Sequence, residues 1–189
     1  MRNYCVVLLA AIGLLACAAT AQVTNVPSTE LETFEAQTGK VIVKATGQIG
    51  SLAVGALDIT VISKESMDAG TGRKEHGMAI EVAANNQFVW KRVVDYDEMD
   101  SLLNGMDYLS KIDSKVTALP TFVASYATRS GLRIGAYTSQ RRGDIQFFLQ
   151  DYSTNSAKIL ITPAQLAQFQ SLVEQAKKNL DSLQAPPGT

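Results

Sequence analysis

Two apolar periods alternate along this chain, and each switch between them marks an element. Leu57 to Ser63 is dense in β-branched residues and reads as strand. From His76 to Ala83, residues Met78, Ile80 and Val82 fall on one face at period two. Asn85-Asn86 marks a tight turn, and Phe88 to Val94 pairs back as a hairpin, with Trp90 and Phe88 expected on one strand face. At Asp95 the period changes. Met99, Leu102, Leu103, Met106, Leu109 and Ile112 keep the i, i+3, i+4, i+7 spacing of a core-facing stripe, so Asp95 to Ile112 is expected to be a helix. Asp95, with Glu98 three residues on, has the capping-box spacing. Gly105 inside that helix costs about 1 kcal/mol relative to alanine, and a close approach of the underlying sheet would account for it.

The same order returns 67 positions later, where Thr162 and Gln165 stand for Asp95 and Glu98. Leu166, Phe169, Val173 and Ala176 fall opposite Met99, Leu102, Met106 and Leu109, and Pro163 suits the first turn of a helix reaching about Leu183. Phe122 to Thr128, Leu132 to Thr138, Ile145 to Leu149 and Ala157 to Ile161 read as the strands before it. In the first unit, Leu31 to Ala36 opens a strand region that Lys40 to Lys44 carries on. Gly47, Gly50 and Gly55 break or bend the chain, and Ser66 to Arg73 is a loop. The chain is therefore expected to be α+β: two β4α repeats, 31–116 and 117–184, each an antiparallel sheet covered by an amphipathic helix, related by a pseudo-two-fold. Residues 22–30 form a flexible lead-in and 185–189 a disordered tail.

Residues 1–21 read as an export signal. Arg2 is the n-region, Val6 to Ala16 the apolar run, and Ala19-Thr20-Ala21 the cleavage site. The run is too short to count as a membrane span. Leu14-Leu15-Ala16-Cys17 supports a competing reading, a lipobox with Cys17 lipidated, which would anchor the protein to the envelope. Leu15 is bulkier than the residue usual there, so simple export to the periplasm or medium is preferred. Cleavage after Ala21 removes both cysteines, Cys5 and Cys17, so disulfides and thiol chemistry drop out of the mature chain. It also removes one of 17 basic residues and none of 18 acidic ones, moving the net charge from −1 to −2. Bulk charge therefore gives no reason to expect a nucleic-acid partner.

The β4α–β4α order resembles the Whirly-type fold of single-strand nucleic-acid-binding proteins. The likeness is topological; no signature motif accompanies it, and no binding residue is carried over. The segments Val94-Asp95-Tyr96-Asp97-Glu98-Met99-Asp100-Ser101-Leu102-Leu103 and Leu180-Asp181-Ser182-Leu183 are similar to those of an uncharacterised family of bacterial exported proteins, which implies no particular activity.

Chemistry is sparse. His76 is the only histidine, which excludes His-pair metal sites. Gly39-Lys40 lacks the earlier glycine of a phosphate-binding loop, and no serine sits in the commonest hydrolase motifs. No catalytic residue, metal ligand or cofactor is expected. Two charge clusters remain. Asp95, Asp97, Glu98 and Asp100 suit a helix N-terminus better than a calcium loop, because no glycine makes the turn such a loop requires. Arg129, Arg133, Arg141 and Arg142 crowd the hairpin ends of the second unit; stacked side by side, they would form a patch for an anion. The favoured expectation is a non-enzymatic envelope module that binds itself or another envelope protein through sheet edges. The alternative is a binding protein for an anionic ligand or polymer at those arginines.

Overall fold

The computed structural model describes residues 29–139, 143–154 and 156–184. The segment expected to be an export signal, 1–21 with Cys17, the expected lead-in up to residue 28 and the expected tail 185–189 lie outside the described residues.

β1 (Ile42–Val54), β2 (Leu57–Asp68), β3 (Lys74–Ala84) and β4 (Gln87–Asp95) form one antiparallel sheet in that order. A 3-10 turn, Tyr96–Glu98, leads into α2 (Met99–Ser110). β5 (Val123–Ala127), β6 (Leu132–Thr138), β7 (Ile145–Asp151) and β8 (Ile159–Ile161) form the second sheet, and α3 (Pro163–Gln184) closes the unit. The α+β architecture of two antiparallel four-stranded sheets, each followed by a helix, is thus present. The packing is crossed. α3 lies on β1 and β2, α2 lies on β5 and β6, and the two helices touch. One core results, in which Met78, Ile80 and Val82 meet Leu102, Met106, Phe169 and Val173.

Small residues permit these approaches. A Cβ on Gly105 would sit 2.7 Å from the Tyr126 ring of β5, so the glycine marks contact with a sheet, that of the other repeat. In the first sheet the small residue is on the strand: a Cβ on Gly50 would sit 2.7 Å from Leu172 of α3. β1 runs unbroken through Gly47 and Gly50, with only a bulge between Gln48 and Gly50, where an interruption was expected. β2 likewise continues to Asp68, which shortens the expected loop. Asn85 and Asn86 both have positive φ, 48° and 63°, the left-handed pair that a two-residue hairpin turn requires.

Two expectations fail for identifiable reasons. Leu31 to Ala36 is not strand: Glu30–Glu35 forms the short helix α1. The Thr29 hydroxyl accepts the N–H of Glu32 at 3.1 Å, and Leu31 and Phe34, three apart, are buried against the first sheet. Phe88 and Trp90 do not share a face. Val82 pairs with Trp90 and Ala83 with Phe88, so Val89 is an extra residue that resets the alternation. Trp90 is 6% exposed and in the core, whereas Phe88 is 71% exposed. Among the described residues no helix is long and apolar enough to cross a membrane.

Candidate functional site

The acid cluster and the first of the four arginines meet. Arg129 stands in the β5–β6 turn, and its guanidinium pairs with Asp97, with Asp95 at 3.5 Å, with Glu98 at 3.6 Å and with Glu30 at 3.9 Å. Its backbone N–H donates to Glu98 Oε1 at 2.9 Å. Burial lowers the Arg129 pKa, but the surrounding carboxylates outweigh it and the net shift is upward. Burial pushes the Glu98 carboxyl above its ordinary range, with Arg129 pulling the other way. Asp95 does not cap its own helix. Its two oxygens accept the N–H groups of Glu30 and Leu31 at 2.8 and 2.9 Å, so it caps α1 from the end of β4. Asp100 lies 3.5 Å from Lys177 on α3. The acids therefore hold the first sheet, α1 and the second hairpin together. Among the described residues no group of three His, Cys, Asp or Glu could hold a metal.

Of the other three arginines, only Arg133 is among the described residues, and it takes a different partner from Arg129. Arg133 lies on β6, its guanidinium carbon 3.6 Å from the Tyr152 ring centre. Arg141 and Arg142 lie outside the described residues.

What sequence reasoning missed is a groove of about 730 Å³ along β4. The outer edge of β4 is free: among the described residues this strand pairs only with β3. Phe88, Val89 and Tyr152 stand exposed along the groove, which is bounded by α1 and by the turns of the second sheet. Its charges are already matched. Arg92 grips buried Asp151 through Nε and a terminal nitrogen, at 2.9 and 2.6 Å, joining the two sheets. Burial raises the Asp151 pKa, but Arg92, Thr154 and Ser153 hold it lower on balance. Lys64 meets Glu35 at 2.7 Å and Lys91 meets Glu81 at 2.5 Å. Burial likewise raises Glu35, yet Lys64, Ser66 and Lys44 bring it below its usual range. The only sequence signal for this groove was the exposed apolar pair Phe88-Val89, which the bulge hid inside a regular strand pattern.

A second hollow, of about 510 Å³, is lined by His76, Lys74, Asp95, Tyr96 and Leu183 among others. His76 Nε2 lies 2.9 Å from Glu65, which Lys74 also reaches at 3.1 Å. Desolvation raises Glu65, but the bonds from His76 and Lys74 bring it down on balance.

No protein-family model matches the chain, and no curated protein matches it. Among solved structures it is similar to that of the plant transcriptional regulator PBF-2, a Whirly-type protein. The two share 17% identity, with 80% of this chain and 92% of that chain covered and a TM-score of 0.28, a weak likeness of fold.

Proposed function

We propose that this protein is an exported, non-enzymatic interaction module of the cell envelope that holds a partner polypeptide, in extended form, along the free edge of β4. One observation supports the reading: an unpaired strand edge runs beside exposed Phe88, Val89 and Tyr152 in a groove whose principal cations are paired with carboxylates of the same chain. An added strand supplies the N–H and C=O groups that the edge lacks, and its alternate side chains cover the apolar ones. Internal pairing of the charges leaves little to recruit a highly charged segment. The anionic-ligand reading loses Arg129, whose guanidinium is occupied by four carboxylates.

The test is crosslinking in intact host cells, followed by capture of the tagged protein. The proposal expects one recurrent envelope protein, lost from a Phe88→Asp/Val89→Asp variant whose circular dichroism is unchanged. Self-crosslinks alone would reassign the edge to self-association. A partner retained by the variant would remove β4 from the account.

A further inference from the structure

Among the described residues no helix or strand packs on the outer face of the second sheet. α2 lies on its inner face, where Leu132, Ile134, Ala136, Phe147 and Leu149 join the core. By alternation the opposite face carries Val123, Arg133, Tyr137, Phe148, Gln150 and Leu160. Phe148 is nonetheless fully buried there. Its ring lies where a Cβ on Gly135 would stand, 2.5 Å away, and Lys158 Nζ covers it at 4.3 Å while lying 4.8 Å from the Tyr137 ring.

Charge on this face has one sign. β5 to β8 contain a single carboxylate, Asp151, and it turns inward to Arg92. Asp144, in the β6–β7 connection, is exposed beyond the strands. Arg133 sits opposite Gln150, and Leu149 sits opposite Ile159, so the register puts Lys158 beside Gln150. Arg133 and Lys158 thus share a row across β6, β7 and the start of β8, about 10 Å apart at two strand spacings. Among the described residues neither meets a carboxylate; each rests on an aromatic ring instead. Val123, Tyr152 and Leu160 are exposed around them. Apolar and tyrosyl groups interleaved with unneutralised cations suit the boundary of an anionic bilayer, where rings and aliphatic groups enter the headgroup layer and cations meet lipid phosphates. A second copy presenting the same face would set cation against cation.

We infer that the outer face of the second sheet, centred on Arg133 and Lys158, docks the protein on an anionic phospholipid surface, independently of any acyl anchor. This goes beyond the polypeptide reading of the β4 groove and does not depend on it. The test uses the chain from Gln22 onward, which contains every described residue and lacks Cys17. It is sedimented with vesicles of phosphatidylcholine alone and of an equal mixture with phosphatidylglycerol. Binding is expected to the mixed vesicles only, and to weaken by roughly twenty-five-fold in Arg133→Ala/Lys158→Ala, about fivefold for each cation. Lys115→Ala/Lys178→Ala removes the same charge elsewhere and is expected to bind like the parent. Equal binding to both vesicle types, no binding to either, or an equal loss in the two double variants would overturn the inference. So would binding to soluble polyaspartate without binding to vesicles, which would assign the face to an acidic macromolecule.

Discussion

The Asp95 carboxylate caps a helix that begins 65 residues before it, accepting the N–H groups of Glu30 at 2.8 Å and Leu31 at 2.9 Å. With Thr29 accepting from Glu32, the first three N–H groups of α1 are satisfied. A six-residue helix has little stability of its own. Its place on the first sheet therefore depends on this buried carboxylate and on Leu31 and Phe34. Asp95→Ala is expected to cost about 2 kcal/mol and to remove hydrogen-exchange protection from Leu31 to Phe34 before the sheet loses its own. Unchanged protection would show that the two apolar side chains suffice.

Gly105→Ala separates helix propensity from packing. Alanine favours an isolated helix by about 1 kcal/mol, but here its methyl meets atoms at the root of Tyr126, not a flexible tip. Overpacking of this kind costs about 1–3 kcal/mol, so the substitution is expected to lower the urea midpoint. In a Tyr126→Ala background, which removes Cγ and Cδ2, the same change should cost much less. A stabilising effect in the parent would contradict the crossed contact of α2 with β5.

Asp151 is fully buried under Arg92 and links the sheets. Asp151→Ala leaves the guanidinium without its partner and is expected to cost about 3 kcal/mol. Removing both charges, as Arg92→Met/Asp151→Leu, should cost much less, because no unpaired charge then remains. Denaturation of Arg92→Met, Asp151→Leu and the double variant measures the coupling.

Acid pulls the carboxylates in opposite directions. Asp68 pairs with Lys40 and accepts the N–H of Gly70, which bring its pKa down to about 2. Its contribution is complete above the unfolded value near 4 and is lost as pH falls toward 2. Asp151, also lowered, acts in the same sense. Glu98 is raised, chiefly by burial, so the folded state gains from its protonation as pH falls through the raised value toward the unfolded one. Asp68→Asn should therefore flatten the acid limb of the stability curve. Glu98→Gln should be at least as stable as the parent at neutral pH, since the amide oxygen can still accept from the Arg129 N–H. A large loss in Glu98→Gln would mean that the charge pair outweighs burial.

Several of these contacts were written locally. The capping box at Thr162 and Gln165 formed as its spacing indicated, with reciprocal bonds of 2.9 and 3.2 Å. The burial stripes of both long helices and the Asn85-Asn86 turn were equally local signals. Asp95 and Glu98 carry the same spacing as Thr162 and Gln165 yet point elsewhere, because α1 and Arg129 come within reach only after the chain folds. Nothing near Leu31 shows that a carboxylate 64 residues away will cap its helix. The groove escaped for a related reason. One extra residue at Val89 turns Phe88 outward, and a period-two pattern cannot register a single-residue bulge.

The free edge of β4 is the centre of the functional account. Its most direct test places a photo-crosslinking residue at Phe88, at Val89 and, as a control, at exposed Gln175 on α3, in living host cells. One adduct of the same mass is expected from positions 88 and 89 and none from 175. No adduct at 88 and 89, or the same adduct from all three positions, would contradict it.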